Sequence, residues 1–509
     1  MSRLRRPNAG WLLALVALLV VPTVMGVGQF GAGTAMASAM TTAGSLATSS
    51  GPSPSITAAA SLDSSGSIGP SAPAASPIPS DSSLPSPSDG PLASAPPTAD
   101  GVVPGAVNAT SMALTAEYDA TVRLNFGTRS FQVASTMTIT NTAAEAIDRL
   151  ELNTIAARLG RMTVTLARSD GRAVTATVKD QTITVPLGGI LQPGGRVVVR
   201  IDYRATLRSG LAGSNWLFTR VNGILEAHRW LPWISRATPF NRPNHGDPFV
   251  TPVSPRVRVT IVSDRVIRWA TTGEQVGGTG TTKVFEARNV RDFAIAGAPD
   301  YRLTSATVGS VTIHVWGRPG FATAAVMAAA KSALARQAAL LGPYPYRTYD
   351  LAQTAGGYGM ESPGLTWIPG GAGSIAYLVA HETAHQWFYG VVGNDQARQP
   401  YADEAAADFI ARYTLNLRRS SRCATARLDL NIYQYSNTCY YETIYIQGGN
   451  FLDDTRRKMG NPPFWAGIRD YLAANRFKIT TTKSLLDTLD ARTPLNLVPR
   501  YEPRFPSLY

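Results

Sequence analysis

From residue 108 to about 305 the chain alternates between apolar and polar positions. Over residues 196–204, Val197, Val199, Ile201 and Tyr203 collect on one face while the other becomes increasingly polar, the period-two pattern of a half-buried strand. The same period returns at Val257, Val259 and Ile261 and, more loosely, from Phe131 to Ile139, with Gly188-Gly189 and Pro193-Gly194-Gly195 as turns. Many short strands at regular intervals predict a β-sandwich or saddle-like sheet domain over residues 108–305. After His314 the period changes. An alanine-rich helix is expected over residues 321–341, stopped by Gly342-Pro343, then one from about 374 to 389 and another from about 403 to 416. The fold class is therefore α+β and multidomain, with a mainly α second domain over residues 306–509. No internal repeat is visible.

The first 107 residues belong to neither domain. Arg3, Arg5 and Arg6 precede an apolar run from residue 10 to 28, a positive region and a hydrophobic region in the order of an export signal. Residues 1–28 are thus expected to be a signal peptide or signal anchor. Ala35-Met36-Ala37 and Ala37-Ser38-Ala39 resemble cleavage sites, yet the run is nearly long enough to span a bilayer, so both fates stay open. Residues 29–107 are dominated by Ser, Ala, Pro, Gly and Thr. Such a stretch cannot bury enough apolar surface to offset its ordering entropy, and it is expected to be a disordered linker holding the folded part away from a membrane or through a cell wall.

Charge changes this picture little. The formal balance of +13 is carried mostly by arginine, and no basic run or aromatic-basic stripe points to nucleic acid. The two cysteines, Cys423 and Cys439, lie in the part expected to be exported, where a single pair is most often a disulfide.

Candidate chemistry enters with His381-Glu382-Thr383-Ala384-His385, two of the chain's five histidines, followed by Glu404. Histidines four apart on a helix lie one turn apart on one face and can grip a single metal ion. A glutamate from a second helix would complete a two-histidine, one-carboxylate set for one Zn2+, with the fourth tetrahedral position left to water. Glu382, beside the first ligand, is placed to take that water's proton. The flanking stretches 375–380 and 386–389 are apolar, and a histidine pair buried there needs a partner, most commonly a metal.

Three separated blocks resemble the M1 family of zinc aminopeptidases, the gluzincins that include the membrane alanyl aminopeptidases. Gly357-Tyr358-Gly359-Met360-Glu361-Ser362 resembles the family's exopeptidase motif, residues 381–388 with Glu404 at its offset resemble the zinc motif, and Tyr445-Ile446-Gln447-Gly448-Gly449 resembles the segment of the catalytic tyrosine. The resemblance implies a thermolysin-like catalytic domain over residues 306–509, with zinc on His381, His385 and Glu404 and Glu382 as general base. It implies further that Glu361 binds the α-amino group of the substrate, that Gly359 and Met360 line the peptide, and that Tyr445 assists at the oxyanion. The expected partners are peptides with a free N-terminus, and the expected location is extracellular or in the cell envelope, with anchoring through residues 10–28.

The chain departs from the family pattern at four places: Ser362 for asparagine, Tyr358 for glycine, Ala405 for glycine and Gln447 for lysine. Two other functions fit the same residues: a secreted gluzincin endopeptidase, and a non-catalytic envelope-binding protein with a vestigial metal site.

Overall fold

The computed structural model describes residues 101–238, 249–436 and 438–509. The export segment, residues 29–100 of the expected linker and His245 lie outside the described residues. Among those described, no helix is long and apolar enough to cross a membrane.

The alternation seen in the sequence becomes an eight-stranded sheet. At its centre Leu114–Asn125 runs antiparallel to Ser130–Asn141 and parallel to Val257–Ser263, so that Val122 faces Val133 on one side and Ile261 on the other. Alternate residues of these strands are buried, as a one-sided sheet requires. Two four-stranded sheets share the same core. Leu150, Leu152 and Val185 enter it from one, and Leu225, Trp269 and Ile295 from the other. Phe131 meets Trp230 and Phe218 edge-on, and the Tyr203 hydroxyl donates to the Trp230 carbonyl at 2.6 Å, satisfying its one polar atom in an apolar interior.

Two boundaries differ from those expected from the sequence. Residues 101–107, assigned to the linker on composition, are already bonded to the sheets: the Gly101 N–H donates to the Arg196 carbonyl of the eight-stranded sheet, and Val103 pairs with Ile190 of a four-stranded one. At the other end Arg302–Val308, which straddles residue 305, pairs with Val311–Gly317 in the next sheet. That strand is almost wholly exposed, so it carries no apolar alternation that would mark it.

The second half combines this five-stranded sheet with helices. Its strand order is Arg302–Val308, Val311–Gly317, Thr348–Thr354, Leu365–Pro369 and, at the edge, Met360–Ser362. Thr323–Leu341 packs on the sheet and on the helix Ile375–Ala384, burying Val326, Leu334, Leu351 and Val379 in a second core.

The helix expected from about 374 to 389 is regular only over Ile375–Ala384. Beyond it the bonds lengthen to i→i+5, from the Gly390, Val391 and Val392 N–H groups to the carbonyls of His385, Gln386 and Trp387, and Tyr389 takes a φ of +135°. The helix expected from about 403 begins instead as a π-helical turn, Tyr401–Ala405, and continues as Ala406–Leu415 to a left-handed cap at Asn416. A second π turn, Glu442–Gln447, leads into the helix Gly448–Met459.

Candidate active site

The helix Ile375–Ala384 places His381 near its end and His385 at its cap, on one face because four residues make about one turn. The π turn Tyr401–Ala405 brings Glu404 to the same point. His381 Nε2 and His385 Nε2 are 3.2 Å apart, and Glu404 Oε2 lies 3.3 and 3.4 Å from them. A tetrahedral zinc with bonds of about 2.0–2.2 Å imposes ligand separations of roughly 3.3–3.6 Å, so the triangle has the size of one such face. All three residues are buried, and Glu404 Oε2 finds no well-aligned hydrogen bond among the described residues. Two imidazole nitrogens and a carboxylate oxygen that face each other at this spacing, out of water, suit a shared divalent cation better than one another.

The second nitrogen of His385 is fixed from behind. Its Nδ1 donates to Asp403 Oδ1 at 2.8 Å, with the Phe388 carbonyl at 3.0 Å, which leaves the Nε2 lone pair facing the triangle. Burial opposes charge on this ring, but Asp403 and Glu404 outweigh it and drive the His385 pKa well up, so that Nε2 carries a proton unless a cation takes its place. Burial would raise Glu404 as well, and the two histidines instead hold it far below the usual carboxylate range.

Glu382 is buried beside the triangle. Burial pushes its carboxyl up to about 7 against the opposing influence of His381 and His385. The edge strand Met360–Ser362 brings Glu361 close: one donor atom each from Glu361, Glu382 and His385 lie within 4.8 Å of one another. Gly359, just before that strand, has no room for a side chain, because a Cβ there would overlap Glu382 Oε1 and sit 2.7 Å from Cδ. Gln386 ties the strand to the histidine helix, donating from Nε2 to the Ser362 carbonyl at 3.0 Å and accepting the Gly364 N–H at 2.8 Å.

Tyr445 rides on the second π turn and stacks on the His381 ring, with 5.6 Å between centroids. The next glycines explain how it gets there. A Cβ on Gly448 would sit 2.6 Å from the Ala405 methyl, and one on Gly449 would collide with Arg412 and Asp408, so the bare backbone after Tyr445 packs directly against side chains of the segment that carries Glu404. Ala405, the departure noted beside Glu404, fills that contact. Gln447 donates to the Cys423 carbonyl at 2.6 Å, and Cys423 is joined to Cys439 by a disulfide with 5.7 Å between Cα atoms.

The structure therefore brings His381, His385, Glu404, Glu382, Glu361, Gly359, Met360 and Tyr445 to one place and leaves the disulfide to one side. Sequence reasoning missed Asp403, Gln386, Gln396, Arg229 and the buried pair Asp408–Arg412, whose guanidinium donates to Asp408 at 2.6 Å and to the Ile446 carbonyl at 3.2 Å. Asp403 is the one within reach of such reasoning, standing directly before Glu404.

No protein-family model matches the sequence. Among solved structures, the chain is similar to an M1 zinc metallopeptidase from Deinococcus radiodurans at 19% identity and a TM-score of 0.61, over 77% of this chain and 95% of that one. A mutant of the Deinococcus radiodurans M1 zinc metallopeptidase bound to a Tyr-Ser-Ala substrate gives 18% identity and a TM-score of 0.57, over 77% and 94%. A mutant two-domain M1 zinc metallopeptidase bound to L-arginine gives 19% and 0.59, over 75% and 91%. With one fold running through nearly the whole of each neighbour, the chain has the fold of the M1 zinc metallopeptidases.

Proposed function

We propose that the chain is an exported zinc aminopeptidase of the M1 family, with a thermolysin-like catalytic half, that removes the first residue from peptides with a free N-terminus. The observation that carries this reading is the closeness of two chemistries, a zinc-sized donor triangle and a buried carboxylate, Glu361, beside the proposed base. Hydrolysis of a peptide bond needs the first, whereas a second buried carboxylate is matched to the substrate's ammonium group. The solved neighbours add support, since their ligands, Tyr-Ser-Ala and L-arginine, each carry a free α-amino group.

In this mechanism His381, His385 and Glu404 hold one Zn2+, which when bound supplies a Lewis acid for the scissile carbonyl and an acidified water. Glu361 binds the α-ammonium and so counts from the chain end. The backbone at Gly359 and Met360, on the free side of an edge strand, runs along the peptide. Glu382 takes the proton of the attacking water, holds it, and gives it to the leaving amine as the C–N bond breaks. Burial raises this carboxyl above the ordinary carboxylate range, which favours its holding the proton between the two transfers. Tyr445 donates its O–H to the oxygen on which negative charge develops. Export rests on residues 1–28 and is supported by the Cys423–Cys439 disulfide, a bond kept in oxidising compartments.

The test is a panel of fluorogenic aminoacyl amides and their N-acetylated forms, with zinc or chelator added. Only free amines should be cleaved, chelator should stop turnover, and Glu382→Gln should lower it roughly 10²–10⁴-fold with zinc still bound. Equal cleavage of acetylated amides would replace this reading with an endopeptidase. Folded protein that binds no zinc would replace it with a binding module.

A further inference from the structure

Gln396 is 3% exposed and lies in the loop between the histidine helix and the Tyr401–Ala405 turn. Its side-chain amide reaches three ways. Nε2 donates to Asp403 Oδ2 at 2.7 Å and makes a long hydrogen bond of 3.5 Å to Glu361 Oε1, and Oε1 accepts from Arg229 Nη2 at 2.9 Å. The other oxygen of Asp403 holds His385. One neutral group thus touches the carboxylate assigned to the substrate's amine, the carboxylate that orients a metal-site histidine, and an arginine from the β-rich half. Only a primary amide offers two donors and an acceptor without charge; a carboxylate here would face two like charges, and an ammonium could not accept from Arg229.

The arginine end is itself firmly held. Arg229 is 4% exposed, lies 3.9 Å from Asp292, and has its guanidinium over the rings of Phe249 and Tyr389. Asp292 accepts from the Tyr389 hydroxyl. Arg229 and Tyr389 both adopt positive φ, +41° and +135°, although neither is glycine. Bulky residues persist in that region only where their surroundings over-determine them, and such positions cluster at functional sites.

We propose that Gln396, clamped by Arg229, is a positioning residue that sets Glu361 and the Asp403–His385 pair in one frame and so fixes the distance between the amine clamp and the metal corner. This deepens the aminopeptidase reading and rests on it. In an exopeptidase that distance is the ruler that presents the first peptide bond and no other. A loosened ruler weakens both ends: Asp403 orients His385 less well, and Glu361 meets the ammonium less often.

The experiment compares wild type, Gln396→Met, which keeps length and loses all three bonds, and Arg229→Lys, which keeps the charge beside Asp292 and withdraws the guanidinium from Oε1. Zinc dissociation constants are measured by competition with a fluorescent chelator, and kcat and KM on a free aminoacyl amide. Gln396→Met should weaken zinc roughly 10-fold or more, in line with other groups behind metal ligands, and raise KM roughly 10-fold with a smaller change in kcat. Arg229→Lys should move both constants the same way by a smaller factor, about 3-fold. Values within twofold of wild type for a folded Gln396→Met overturn the proposal, and should that variant not fold, wild-type constants in Arg229→Lys do so. Wild-type protein that binds no zinc overturns the aminopeptidase reading, and this inference with it.

Discussion

Glu382 and Gly359 occupy the same space: the carboxylate oxygen of the proposed base lies where the first carbon of any side chain at 359 would have to go. A side chain at 359 would have to push aside that carboxylate, the movable end of Glu382, together with the Leu378 Cδ1 methyl 2.9 Å away. Gly359→Ala should displace Glu382 and cut kcat by roughly 10²-fold, the loss that a displacement near 1 Å brings, while zinc content stays normal. Gly357→Ala, two residues earlier with nothing within 4 Å of its Cβ, is the matched control and should behave as wild type. Equal activity in both variants would show that the base tolerates movement.

The Asp408–Arg412 pair ties the helix after Glu404 to the turn carrying Tyr445, and both side chains are buried. Arg412→Met leaves Asp408 in the core without its cation, with only the Tyr377 hydroxyl still donating to it, which should cost about 3–5 kcal/mol in urea unfolding. Replacing both residues with apolar ones of similar volume should recover most of that loss. A single variant as stable as wild type would mean that the Tyr377 hydroxyl, which already donates to Asp408, is partner enough.

The disulfide closes a loop with a sequence separation of 16 directly before the Tyr445 turn. Chain-entropy arguments give about 3 kcal/mol for a loop of that size. Reductant should lower the urea midpoint of the wild type and leave that of a Cys423→Ser, Cys439→Ser double variant unmoved. It should also lower kcat, because Gln447 holds the Tyr445 turn through the Cys423 carbonyl. A midpoint indifferent to reductant would remove the bond from the stability account.

Glu226 gives a pH signature. Burial pushes its carboxyl from 4.5 up to about 8, against hydrogen bonds from the Thr354 hydroxyl and the Ala355 N–H. Between those values the folded chain keeps a proton that the unfolded chain has released, so this residue makes stability fall as pH rises through the window. Wild type should lose several kcal/mol more than Glu226→Gln between pH 5 and pH 8 in urea unfolding. Parallel curves for the two proteins would show that Glu226 is ionised in the fold.

How much of the fold and site is legible in the sequence depends on how local each signal is. His381 and His385 are four apart on one helix, so their pairing is written in the spacing. The alternation of residues 196–204 and 257–261 marks sheet for the same reason. Arg229 and Gln396 meet across 167 residues, and no pattern near either announces the other. Met360–Ser362 is three residues long, too short to display a period, yet it carries Glu361. Both π turns look like ordinary helix in the sequence because the apolar spacing of one π turn within an α-helix differs too little to notice.

Those two turns set a limit on sequence drift. Glu404 and Tyr445 each sit where the backbone holds a wider coil than its neighbours. Removing a single residue from either would let the coil relax to the tighter winding and rotate one side of the turn against the other by about 100°. The carboxylate or the phenol would then swing off the cluster while the hydrophobic cores stayed nearly intact. Lineages of this fold are therefore expected to tolerate many exchanges of side chain around the site and very few changes of length at these two points.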